Sequence, residues 1–435
     1  MIKNYINKHS LTYLMMNIFL ISLILLPKSF NTLFDIIPIR SVLAGILFLI
    51  FLYEAKKGKI EINKNKFILI TTIYGIFLLF TIPSFLKSKN LLISLYTFCK
   101  YISYYLAFIT FYKTKLNRNE YLTLLKNVCI CAFIVSIYAI FQYIFDWQLN
   151  YNGLDKYDIK GRVPATFYNP IYYSVFINII FIPTLYLIYT KNFNKLIGFL
   201  ILLANACGLI LTFTRSGILI FFAILIGVII FFRKLIFNKF SILTITICIL
   251  LMFIIPGSKD VTLNAFQNAF SLFSTNTEQI ENELENNENI DYSIYHRKEF
   301  LKITYEIIKD NPFAGVGFGT YIDYMNSNDF TINYPDYKFS KTHPHAGFTL
   351  LTAETGIFAV AFFILFIIII AFYYLKDFIF YFKAKSDKQS PILVALLISS
   401  GFLVINTISE NLIYDTQIFL IFLAIISIFY NLAKK

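Results

Sequence analysis

Residues 342–356 read THPHAGFTLLTAETG, and the way this stretch joins a polar region to an apolar one decides how the rest of the chain is read. It sets His345 at the lip of a long apolar segment that runs to about Leu375, with Glu354 nine residues further on. If the helix has begun at the histidine, the two lie roughly two to three turns apart. Upstream is a polar region of roughly ninety residues, the only long one in a chain otherwise built from hydrophobic runs. An ionisable pair where a polar region meets a membrane helix is a functional hypothesis by default. The plain alternative is a histidine that caps the helix at the water interface.

Composition agrees with a membrane setting. Of 435 residues, 58% are hydrophobic and 14% charged, against about 25% charged in a soluble domain. Apolar runs of about 18 residues or more recur, and each is long enough to cross a bilayer. The net charge of +13 would suit nucleic acid, but the lysines are distributed as topogenic charges facing cytoplasm and anionic lipid. Nucleic acid is therefore not expected as a partner. Cys99, Cys129, Cys131, Cys207 and Cys248 all fall in apolar segments, where a disulfide framework is not expected. Lys3 and Lys8 precede an apolar run from Leu11 to Leu26. No small-residue cleavage site follows, so this run is expected to be an uncleaved first span.

Twelve helices are expected, at roughly 11–27, 33–53, 66–85, 91–112, 122–145, 168–189, 195–213, 216–232, 239–256, 347–375, 391–408 and 412–432. The fold class is an all-α polytopic membrane protein with a large helical extracytoplasmic loop between helices nine and ten. Its parts are residues 1–256 (spans one to nine), 257–346 (the periplasmic loop subdomain) and 347–435 (spans ten to twelve). About 22 Lys and Arg fall on one side of the bundle and about nine in the short connections of the other. Both termini are thus expected in the cytoplasm and the large loop outside.

Within that loop, the 276–290 run NTEQIENELENNENI suits a solvated segment. Ile294, Phe300, Leu301, Tyr305 and Ile308 suit a helix with one buried face, ended by Asn311-Pro312. GVGFGTY follows, with Gly315, Gly317 and Gly319. No strand precedes it and no helix clearly follows, so a dinucleotide fingerprint is not expected. The glycines suit close backbone packing instead.

The outer ionisable residues beside apolar segments are Arg162, Arg215, Arg297, His345 and Glu354, with His343 a second histidine candidate. Three arginines and a histidine point to an anionic ligand, phosphate or pyrophosphate, because guanidinium binds phosphate oxygens through paired hydrogen bonds. No Asp or Glu cluster of the kind a magnesium site needs stands beside them, so no metal or other cofactor is expected. A histidine, with an ordinary pKa of about 6.5, can accept a proton from an attacking hydroxyl near neutral pH. Glu354 is expected to support this group, either directly or by capping a buried donor. His296 is expected to be a packing residue, and Glu410 and Asp415 to be interfacial.

The sequence from HRKEF through NPFAGVGFGTY to HPHAGFTLLTAETGI resembles the signature region of the O-antigen ligase and O-antigen polymerase superfamily. RVPATFYNP resembles that family's Arg-x-x-Gly-x-Phe-x-Asn-Pro stretch, with Ala165 in place of the glycine. LTFTRSGIL resembles its Thr-x-Ser-Arg-Gly segment, with Thr214 before Arg215 and Ser216 after it. Ala346 stands where the family has Asn after its histidine. The resemblance implies an undecaprenyl-pyrophosphate-linked glycan donor, metal-independent transfer to a lipid or glycan acceptor, and essential Arg162, Arg215, Arg297 and His345. It implies a bacterial cytoplasmic (inner) membrane enzyme whose site faces the periplasm among membrane lipids. An O-antigen ligase acting on lipid A-core is the expected member. A polymerase joining lipid-linked repeat units is the alternative. A non-catalytic lipid-linked glycan transporter is a second alternative, and it would call for an inverted repeat with broken helices. The polar insertion, however, occurs once.

Overall fold

The computed structural model describes residues 9–27, 32–33, 37–62, 67–145, 161–167, 169–231, 292–328, 343–383 and 411–433, with scattered residues between 246 and 263. Its helices are α1 (Leu11–Leu25), α2 (Ile39–Lys56), α3 (Phe67–Thr81), α4 (Leu91–Lys113), α5 (Arg118–Phe145), α6 (Pro170–Tyr189) and α7 (Lys195–Leu211). They continue with α8 (Arg215–Phe231), α9 (Tyr292–Asp310), α10 (Tyr321–Ser327), α11 (Gly347–Thr355), α12 (Ile357–Lys383) and α13 (Thr416–Ala433). Two β pairs of two residues per strand join connections, Thr32–Leu33 with Ile37–Pro38 and Glu61–Ile62 with Thr114–Lys115. The chain is an all-α membrane protein. Among the described residues six helices are long and apolar enough to cross a bilayer, and α1, α7 and the first part of α8 are shorter apolar helices. The spans expected at 239–256 and 391–408, the 276–290 run and Cys248 lie largely or wholly outside the described residues. Cys99, Cys129, Cys131 and Cys207 are free thiols within helices.

Short polar residues set where several helices start. Ser10, Asn90, Asn169 and Asn194 each accept a backbone N–H from the first turn of the helix that follows. Such a cap satisfies a donor the helix leaves open and contributes about 1 kcal/mol. Asn169-Pro170 adds a proline at the first helical position, where its missing N–H costs nothing.

α13 lies at the centre. It is buried along its whole length, its polar Thr416, Gln417, Ser427 and Asn431 included. It packs chiefly against α4 and also meets α1, α2, α5 and α6. α3 and α12 pair with each other and present Leu79, Ile368 and Phe372 outward. In lipid no hydrophobic drive joins helix to helix, so packing and interhelical hydrogen bonds hold the bundle. Asn431 donates to the carbonyls of Phe111 and Tyr112, Asn178 to that of Gly217, and Tyr374 to that of Ile426.

The single helix expected over 347–375 is in fact two. α11 stops at Gly356, whose φ is +84°, and α12 starts at Ile357. The cause is the turn after α9, whose backbone is bonded to this break. Ile357 N–H donates to the Pro312 carbonyl at 2.8 Å, Val316 N–H to that of Ala353 at 2.9 Å, and Gly317 N–H to that of Glu354 at 3.1 Å. A Cβ at position 356 would lie 2.1 Å from the Phe313 carbonyl oxygen. Gly356→Ala is therefore expected to destabilise the protein by more than about 1 kcal/mol. Gly45→Ala, in the middle of α2 where a Cβ meets nothing within 4 Å, should not lower thermal stability in detergent. Equal melting curves for the two variants would contradict this account of the break.

Candidate functional site

Glu354 sits on the last turn of α11, outside the span that begins at Ile357, and is completely buried. Its carboxyl oxygens accept the Gly319 N–H at 2.9 Å, the Tyr321 N–H at 3.3 Å and the Tyr414 hydroxyl. Burial pushes this carboxyl up to about 7, against the pull of those three donors and of the Lys100 charge. The glycine run thus donates to an acidic group, and that group is the protein's own carboxyl. Contrary to the sequence reading, a helix does follow that run, α10 at Tyr321–Ser327.

The two histidines precede α11. His343 lies with its ring centroid 6.1 Å from that of Tyr321, and its buried Nδ1 has no hydrogen-bond partner among the described residues. Burial, then the charges of His345 and Lys100, hold its pKa down at about 4, so it is neutral at physiological pH. His345 is half-buried and adopts φ +48°, the left-handed region that a residue with a Cβ enters at a cost of about 1–3 kcal/mol. Ala346 takes the N-cap position of α11 and supplies no side-chain cap, as its lack of a polar group requires.

Arg297 is half-buried on α9. The buried face of α9 is Phe300, Thr304 and Ile307, with Arg297 one turn before Phe300 on the same face. This corrects the expected face. Thr304 replaces Tyr305, which is 64% exposed, because the Thr304 hydroxyl pairs with the Tyr321 hydroxyl at 2.7 Å. Phe300, Ile307, Val316, Tyr321 and Met325 form one small core with Leu350 and Ala353 of α11. The elements carrying Arg297, the glycine turn and the histidines are thereby packed together.

Arg162 and Arg215 belong to a second assembly. Arg162 donates through Nε to the Thr212 carbonyl at 3.1 Å and through Nη2 to the Thr214 hydroxyl at 3.2 Å. Val163 N–H donates to the Leu211 carbonyl at 3.1 Å. The 161–167 segment therefore docks on the α7–α8 turn, at whose end exposed Arg215 begins α8. Ala165, standing where the resembled motif has glycine, has φ +52°.

Two functional candidates escaped the sequence reading. Lys100 lies inside the apolar span α4, is 9% exposed and donates to the Tyr414 carbonyl. Tyr414 in turn donates to Glu354. A lysine in the middle of an apolar run was the available signal. Asp415, expected at the interface, is buried and accepts the Ile418 N–H in the first turn of α13 at 2.9 Å. Glu410 lies outside the described residues. Among the described residues no three His, Cys, Asp or Glu side chains gather as metal ligands would.

These features define a polytopic membrane protein with a candidate polar site built from an arginine helix, a glycine turn and a histidine loop. Residues 198–364, which include Arg215, Arg297, His343, His345 and Glu354, match a family described as O-antigen ligase, so this part of the chain carries that family's domain. No curated protein matches the chain.

Glu354→Ala would leave two backbone N–H groups and the Tyr414 hydroxyl unsatisfied, at about 1–3 kcal/mol each, and is expected to abolish recovery of folded protein. The raised carboxyl contributes stability that is complete below its ordinary value of 4.5 and is lost as pH rises through about 7. Melting temperatures should fall from pH 5 to pH 8 in wild type. They should fall less in Glu354→Gln, which cannot ionise.

Proposed function

We propose that the protein transfers a glycan from an undecaprenyl-pyrophosphate donor to an acceptor hydroxyl at the outer face of the cytoplasmic membrane, as an O-antigen ligase with lipid A-core as acceptor. The observation that carries this reading is the O-antigen ligase match over 198–364, laid over residues that the packing of α9 against α11 draws together. In this reading both termini are cytoplasmic, 257–346 forms a periplasmic subdomain, and the site opens to the periplasm.

Arg297, with Arg162 or Arg215, holds the pyrophosphate, whose developing negative charge needs fixed donors in the transition state. His345 takes the proton from the acceptor hydroxyl as that oxygen attacks the anomeric carbon and the pyrophosphate departs. No carboxylate is assigned to form a glycosyl intermediate, since Glu354 is engaged by Gly319, Tyr321 and Tyr414, so inversion follows. Strain at His345 supports a functional role, because a side chain held in a disfavoured backbone conformation is one whose direction matters.

The test is reconstitution of purified protein with a labelled polyprenyl-pyrophosphate glycan, with and without lipid A-core and with EDTA present. Label on the core lipid despite EDTA is the expected result. Longer lipid-linked chains formed without acceptor would assign polymerase activity instead. Binding with no covalent product would sink both in favour of transport. In the same assay His345→Ala is expected to lose about 10²–10⁴-fold in rate while remaining folded, and full activity in that variant would remove His345 from the mechanism.

A further inference from the structure

Lys100 is a cation buried in a membrane helix, and burying an unneeded charge there is costly. Its surroundings say what it does. α4 turns one face toward the site, carrying Thr97, Lys100, Tyr101 and Tyr104 at helical spacing, all buried. One turn above Lys100, Thr97 touches the glycine turn. A Cβ on Gly319 would lie 2.2 Å from Thr97 Oγ1, so glycine there lets the turn sit directly on the helix. Beside it the Tyr101 ring lies 5.0 Å from Phe318 and 6.1 Å from Tyr414, centroid to centroid. Gly319 donates to Glu354 from one side and Tyr414 from another. Lys100 donates to the Tyr414 carbonyl and lies 5.8 Å from the centroid of its ring, within reach of a cation–π attraction.

We propose that Lys100 is a positioning residue of the transfer site: gripped by the carbonyl and ring of Tyr414, its ammonium sets a fixed positive charge beside the Tyr414–Glu354 pair and holds the glycine turn and the 411–415 loop in one arrangement. The inference rests on the transferase reading above. Lys100 touches no substrate in this scheme; it acts through Glu354, Tyr414 and His343. Its charge lowers the pKa of both His343 and Glu354. The other titratable groups bearing on that pair are His345, Tyr101, Tyr321 and Tyr414. Arg297, Asp323 and Asp415 sit on the elements packed around them.

Two variants separate charge from shape. Lys100→Gln keeps a donor for the Tyr414 carbonyl and loses the charge, whereas Lys100→Arg keeps the charge. The first readout is the titration of His343 by NMR of protein carrying labelled histidine, assigned with His343→Gln among the chain's 4 histidines. Lys100→Gln is expected to raise the His343 midpoint from about 4 by roughly one unit, and Lys100→Arg to leave it in place. The second readout is the pH profile of transfer, whose acid limb should move upward in Lys100→Gln alone. A purely structural lysine would lower the rate without moving either midpoint. An unmoved His343 in Lys100→Gln, or an equal movement in Lys100→Arg, overturns the proposal. Wild type inactive in transfer with His343 still shifting in Lys100→Gln would remove the transferase reading while supporting the placement of the charge. Lys100→Met is the second neutral variant. If neither neutral variant folds while Lys100→Arg does, the charge is a requirement of folding and the positioning role is overturned.

Discussion

The structure depends on one buried carboxylate. Glu354 is removed from water, which alone would make its charge prohibitive, yet donors from the glycine turn, the start of α10 and the 411–415 loop converge on it. Each of those segments leaves a donor open, and the carboxylate satisfies them together. Remove the acceptor and several buried donors are orphaned at once. The coupling runs in both directions, so these segments and the N-terminal half of α4 form one unit, though they come from distant parts of the chain.

The break at Gly356 follows from the same constraint. A continuous helix from α11 into α12 would use the backbone groups of Ala353, Glu354 and Ile357 internally. The turn after α9 instead claims them through Val316, Gly317 and Pro312. α11 therefore remains a short helix, and α12 begins a separate, long apolar helix after it. The non-helical backbone between them is tolerated because it is enclosed by protein and internally bonded. The buried shaft of α13 supports this arrangement from below, with Asp415 capping its first turn and Tyr414 reaching across to Glu354.

Much of this was legible in the sequence, and what was missed has a physical cause. Apolar runs of bilayer length identify spans because the bilayer demands internal satisfaction of every backbone group. The Asn311-Pro312 pair marked a helix edge, and α9 ends just before it. Periodicity located α9 but chose Tyr305 over Thr304, since a threonine paired with the Tyr321 hydroxyl leaves no apolar signature. The histidine–glutamate pair drew attention through charge. Its division of labour did not follow from that, because Glu354 is engaged by donors thirty or more residues away in the chain. Lys100 was passed over among the apolar residues of α4, although a lone membrane lysine is itself a signal.

Backbone strain gives an argument independent of charge. Among the described residues, Ala165, Lys191, Phe213 and His345 have positive φ without being glycine. Lys191 and Phe213 each stand two residues past the end of a helix, α6 and α7, where the N–H returns to the carbonyl three residues back, Ile188 and Ile210, as a helix ending would require. The other two fall in the segments whose motifs carry Arg162 and the histidines. Each costs about 1–3 kcal/mol and persists only where its neighbours over-determine it. Ala165 is pinned between the Val163 bond to Leu211 and the Thr166 hydroxyl bond to the Ile24 carbonyl. A chain stabilised only for packing has no reason to concentrate such conformations beside Arg162 and the histidines. The proposed transfer, which must aim those side chains, supplies one.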